Sequence, residues 1–181
     1  MDKVKRNHRT TALNHDQVIE AVHRAGQVLE EQSAVGQLEA NGVLYPNGFA
    51  SFQVIKVPDN DLMLKITRPE GLTDLETNLR RVARRHCQPG CSKPHCRQSR
   101  LDWQKVSRLT KLTGDILETI QAGKAFLAAG YIWPGNWGGV LVMHRPDTDG
   151  DPQEIAAINR PEDIDDWPET VKQTVADALV C

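Results

Sequence analysis

The chain has 181 residues, 39% hydrophobic and 25% charged, with a formal net charge of -2. That length suits one ordinary domain with a sizeable core, and no long repeat is evident. The longest uncharged run, Ala125 to His144, is interrupted by Pro134, Asn136 and four glycines (Gly130, Gly135, Gly138, Gly139), so a membrane-spanning helix is not expected.

Residues 1–12 are basic and no apolar core follows them, which predicts a mobile tail rather than a secretory signal. The expected setting is cytoplasmic and reducing, where closely spaced cysteines are more often metal ligands than disulfides. Residues 13–181 are expected to form a single domain.

Asn14 is a candidate N-cap for a helix over 15–32, whose apolar residues Val18, Ile19, Val22, Ala25, Val28 and Leu29 recur at helical spacing. His15 and His23 read as surface histidines. From Ser33 to Gly48 the chain is punctuated by Gly36, Asn41-Gly42 and Pro46-Asn47-Gly48, leaving room only for a short strand at 43–45. Residues 51–57 and 62–67 flank Pro58-Asp-Asn-Asp61 and predict a β-hairpin, with Leu62, Leu64 and Ile66 on its core face.

Thr73 or Asp74 starts a helix through Arg85, with Leu75, Leu79, Val82 and Ala83 inward and Arg80, Arg81, Arg84 and Arg85 mostly elsewhere. Some of those arginines also complement the dipole of the helix C-terminus. Residues 101–126 form the longest helical region, with a stripe of Trp103, Val106, Leu109, Leu112, Ile116, Leu117 and Ile120 and a possible break at Gly114-Asp115. A helix-turn-helix can be drawn across Val106 to Ile120, although any helical hairpin has the same pattern. Residues 131–139 read as an aromatic, glycine-rich turn. A second hairpin follows, of 140–144 and 154–159, and a last helix over 169–180. The predicted fold is α+β: about four antiparallel strands in two hairpins, packed by three to four helices, with a Cys/His-rich insertion at 86–100.

That insertion reads His86-Cys87-Gln-Pro-Gly-Cys91-Ser-Lys-Pro-His95-Cys96. Zinc takes four tetrahedral thiolate or imidazole ligands, and loops with proline and glycine let the backbone curl so that ligands converge. Cys87, Cys91 and Cys96 supply three thiolates, with His95 or His86 the fourth, or a remote His144, His23 or Cys181. Free or redox-active thiols are the alternative, and an iron-sulfur cluster ranks below both. No carboxylate lies within the loop to act as a base, so the zinc would be structural rather than catalytic.

Between Glu76 and Lys111 ten basic residues face two acidic ones, a net of +8, so the rest of the chain carries -10. Arg80, Arg81, Arg84 and Arg85 before the cysteines, and Lys93, Arg97 and Arg100 among and after them, suit phosphate contacts and counterion release. The same patch suits an acidic protein surface, and the acidic C-terminal region could fold back onto it. Trp133 and Trp137 read as a recognition platform or as caps on the core. The leading expectation is a non-enzymatic, zinc-containing nucleic-acid-binding or regulatory accessory protein. The alternative is an adaptor or inhibitor that grips a partner protein through the basic loop or the tryptophan turn.

Overall fold

Asn14 starts the first helix. Its side chain accepts the Gln17 backbone N–H (2.9 Å), and the Gln17 side chain accepts the Asn14 N–H (3.0 Å), a reciprocal cap. Helix α1 (His15–Glu31) follows, with Val18, Ala21, Val22, Ala25, Val28 and Leu29 fully buried. Eighty-eight positions later Asp102 makes the one-way half of this cap for α3 (Trp103–Thr119), accepting the Lys105 N–H at 2.8 Å.

In this computed structural model the described residues are 13–31, 34–36, 38–46, 50–56, 61–89, 101–123, 125–133, 137–146 and 150–180. The N-terminal segment 1–12 lies outside them. The remaining elements are β1 (Ala34–Gly36), β2 (Leu38–Leu44), β3 (Ala50–Lys56), β4 (Asp61–Ile66), α2 (Leu75–His86), β5 (Cys87–Pro89), β6 (Phe126–Trp133), β7 (Trp137–His144), β8 (Gln153–Ile158) and α4 (Trp167–Val180), with single 3-10 turns at Pro69–Leu72 and Pro161–Asp163. The fold is α+β. One six-stranded antiparallel sheet runs β4-β3-β2-β6-β7-β8, and β1 pairs with β5 in a separate two-stranded ribbon.

The sheet is two copies of one α-β-β-β-α unit, joined at β2 and β6. Gly42 pairs with Phe52 and Gly130 with Val140, the same register shifted by 88 positions. Each third strand carries a register shift at the equivalent place, Val54/Ile55 and Val142/Met143. Leu13 donates its N–H to the Thr67 carbonyl (3.0 Å), as Leu101 does to Asn159 (3.3 Å). Beyond the β7–β8 turn the offset becomes 92, so Ile66-Thr-Arg-Pro-Glu70 corresponds to Ile158-Asn-Arg-Pro-Glu162. The chain therefore does contain a long repeat.

Alternation along each strand sends one set of side chains to the helices. Leu38, Ala40 and Leu44, Phe52 and Val54, Ala128 and Ile132, and Val140 and Val142 form that face, all buried. Helices α1 and α3 cross over it. A Cβ on Gly42 would stand 2.5 Å from Val22 Cγ2, and one on Gly130 would stand 2.0 Å from Thr110 Oγ1, so both glycines are needed for the helices to approach. The helices touch each other in the same symmetric way: Trp103 covers Gly26, and His15 covers Gly114. α2 packs on α1 beside β4, and α4 packs on α3 beside β8.

Several expectations need correction. The sheet has six strands rather than about four, because 38–44 and 126–133 are central strands whose glycines lie inside them. α3 is continuous through Gly114-Asp115, which excludes a helix-turn-helix at 106–120. Leu112 on that helix is 39% exposed, and Thr110 and Thr113 take its place inside. The register shift after Val54 sets Leu62 opposite Ile55, away from the helices, which leaves it 54% exposed. His15 is buried rather than on the surface.

Candidate nucleic-acid interface

Helix α2 has one buried edge, Leu75, Leu79 and Ala83 at four-residue spacing, with Val82 partly buried beside it. The rest of its circumference is polar. Arg81, Arg84 and Arg85 are exposed and lie at i, i+3 and i+4, on one strip of the helix. Arg80 is half-buried and adds its charge near Glu76.

Glu76 is the only acidic residue of the helix, and it is already engaged. Arg24 of α1 donates to both of its carboxylate oxygens and, at 2.8 Å, to the Leu72 carbonyl. These bonds from Arg24 hold the Glu76 carboxyl below its ordinary value, and the same contact raises the Arg24 guanidinium. Glu76 thus ties α2 to α1 instead of neutralising the outer arginines. Among the described residues, no acidic group forms an ion pair with Arg81, Arg84 or Arg85.

The duplicated fold provides an internal control for these arginines. In α4 the positions equivalent to Arg80, Arg81, Arg84 and Arg85 hold Lys172, Gln173, Ala176 and Asp177. The inward positions remain apolar in both helices: Leu75, Leu79 and Ala83 correspond to Trp167, Val171 and Val175, all buried. Packing therefore requires the apolar edge and does not require the basic strip.

The chain from Asp151 to Cys181 has eight acidic residues and two basic ones. It does not fold back onto α2. Its helix α4 lies beside β8 and α2 beside β4, at opposite edges of the sheet. Five strand spacings of about 4.8 Å put those edges roughly 24 Å apart, beyond two Debye lengths at physiological salt. The molecule has one basic end and one acidic end.

The basic stretch of the sequence also divides in space. Lys105 lies 4.0 Å from its neighbour Asp102. Lys111 reaches Asp16 (3.0 Å) and Asp115 (3.4 Å), and the hydrogen bond to Asp16 raises its ammonium above the ordinary value. Arg108 and Lys111, with Ile19, His23, Gln104 and Ser107, line a cleft of about 420 Å³ between α1 and α3. Ile19 corresponds to Ser107 and His23 to Lys111, so the cleft straddles the pseudo-two-fold axis. Arg108 and Lys111 belong to the same basic run of the sequence as the α2 arginines, and the duplication is what reveals their separate location.

Of the proposed zinc ligands, His86 ends α2 and Cys87 opens β5, where its backbone pairs with Gly36. Cys91, His95 and Cys96 lie outside the described residues, as do Lys93, Arg97, Arg100 and Cys181. The Cys/His segment is therefore the connection between the two repeats. Of the remote candidates, the His144 ring stacks on Phe126 at 4.5 Å and His23 meets Trp103 edge-on at 4.5 Å. The Trp133 and Trp137 backbones pair across the end of the β6–β7 hairpin, so the segment read as a turn is mostly strand. Among the described residues no helix is long and apolar enough to cross a membrane.

Sequence reasoning also missed a cluster of His15, Asp115 and Glu118. Its ligand atoms lie within 4.8 Å of one another. The sequence pattern assigns His15 to the surface, and the position of Gly114, which admits its ring against α3, is what distinguishes it. Compared with protein-family models, curated proteins and solved structures, the chain matches none.

Proposed function

We propose that the protein is a non-enzymatic nucleic-acid-binding accessory protein whose contact surface is the arginine strip of α2, extended by Lys93, Arg97 and Arg100 in the connection between the repeats. The observation that carries this is the contrast between two equivalent helices. α2 presents Arg81, Arg84 and Arg85 to solvent without an acidic partner among the described residues, whereas α4 has Gln173, Ala176 and Asp177 at those positions. A guanidinium strip with its own acid occupied elsewhere suits a polyanion, since each phosphate contact releases counterions. The acidic end of the molecule, at the far edge of the sheet, would face away from the bound strand and favour one orientation.

Cys87, Cys91 and Cys96, with His95 or His86, remain the proposed ligands of a structural zinc that would order the connection and bring its basic residues beside α2. Binding of a fluorescent oligonucleotide, followed by anisotropy at low salt, tests the reading. The wild-type chain is expected to bind, and Arg84→Ala/Arg85→Ala to bind at least about tenfold more weakly. A complex that survives nuclease and forms equally well with that variant would instead indicate a protein partner held elsewhere.

A further inference from the structure

We infer that His15, Asp115 and Glu118 form a binding site for a transition-metal dication that joins the two repeats. The site is separate from the cysteine segment and from the arginine strip, and it does not depend on the proposed function. His15 is the first residue of α1, while Asp115 and Glu118 are one turn apart on α3. The three ligand atoms lie within 4.8 Å of one another.

His15 is 8% exposed, and its Nε2 lies 2.7 Å from the Tyr45 carbonyl oxygen. A carbonyl only accepts, so Nε2 carries the proton. That arrangement orients metal-bound histidines and leaves Nδ1 as the ligand. Nδ1 is directed at the carboxylates, 3.5 Å from Glu118 Oε1. A direct charged hydrogen bond would bring these atoms to about 2.8 Å. Two ligands on a tetrahedral zinc, each about 2.1 Å from the ion, stand about 3.4 Å apart. The observed separation matches the second geometry. Asp115 and Glu118 are exposed and can turn inward to complete the set, leaving a position for water.

Asp115 is now 3.4 Å from Lys111, which also holds Asp16 at 3.0 Å. Moving Asp115 to an ion leaves Lys111 paired with Asp16. The other repeat shows that the fold does not demand a histidine here, since the positions equivalent to His15, Asp115 and Glu118 hold Trp103, Gln27 and Glu30. One repeat covers its glycine with an indole, and the other with an imidazole facing two carboxylates. One imidazole with two carboxylates favours a first-row transition ion over magnesium or calcium.

Cobalt(II) titration of the full chain, followed by calorimetry and absorption, tests this. Thiolate-bound cobalt gives strong near-ultraviolet charge-transfer bands, so cobalt held by nitrogen and oxygen is counted separately. One equivalent of the second kind is expected, with affinity reduced more than about tenfold in both Asp115→Asn and Glu118→Gln. Both residues are exposed, so these variants should keep wild-type unfolding midpoints without metal. Absence of nitrogen- and oxygen-bound cobalt, or equal affinity in the wild type and both folded variants, would overturn the proposal.

Discussion

Gly42 on β2 stands directly opposite Gly130 on β6, at the junction of the two repeats. Each glycine lies under the helix of its own repeat, Gly42 under Val22 and Gly130 under Thr110. The sheet centre is therefore set by helix approach rather than by strand propensity. A Cβ on Gly130 would fall 2.0 Å from Thr110 Oγ1, whose hydroxyl donates to the Val106 carbonyl at 2.6 Å. Gly130→Ala is expected to destabilise the fold by about 2–3 kcal/mol in urea unfolding. Adding Thr110→Ala should recover part of that loss, a coupling that a double-mutant cycle reads directly.

The Arg24–Glu76 pair predicts a dependence on pH. The carboxyl of Glu76 is held below its ordinary value by the Arg24 hydrogen bonds, so its contribution is present above the unfolded value and is lost as pH falls through the folded one. The raised Arg24 group stays protonated throughout that range. Both side chains are about two-thirds buried or more, so the pair should be worth about 1–2 kcal/mol, between exposed and buried pairs. Glu76→Gln is expected to lose that amount at pH 7 and to flatten the fall in stability as pH drops below the ordinary glutamate range. Urea midpoints across that range measure it.

Trp167 gives a third test. Its indole nitrogen, fully buried, donates to Thr113 Oγ1 at 2.8 Å, and Thr113 in turn donates to the Leu109 carbonyl at 2.6 Å. Thr113→Val keeps the volume and removes the acceptor. The unpartnered indole N–H should cost about 1–3 kcal/mol, again read from the urea midpoint.

The helices were legible in the sequence because their apolar residues recur every three or four positions. The strands flanking the central pair were legible, since the hairpins expected at 51–57 with 62–67 and at 140–144 with 154–159 are β3–β4 and β7–β8. Asn41-Gly42 and Gly130 resemble turns and conceal the two central strands. The repeat was hidden for a related reason. Most of its equivalent positions differ, as in Val22 and Thr110 or His15 and Trp103, and the identical ones, such as Gly26 and Gly114 or Gly42 and Gly130, are scattered singly or in pairs. Arg68-Pro69-Glu70 and Arg160-Pro161-Glu162, each after a strand ending in isoleucine, form its longest run of identity. The arginines of α2 could be read from the sequence as a patch. Their lack of a described acidic partner, and the distance of the acidic C-terminal region, required the topology. Burial of His15 depends on Gly114, a contact about a hundred positions away in the chain that no local pattern predicts.

The claim that α2 carries a nucleic-acid contact surface is tested most directly by the salt dependence of oligonucleotide binding. Wild type is compared with Arg81→Ala/Arg84→Ala/Arg85→Ala on α2 and with Lys172→Ala on α4. Each phosphate contact contributes about 0.9 to the slope of log affinity against log salt on duplex DNA, and about 0.7 on a single strand. The triple variant should therefore lose about two to three units of slope, while Lys172→Ala keeps the wild-type slope. A triple variant with the wild-type slope, or a wild-type chain that binds neither DNA nor RNA at low salt, would contradict the account.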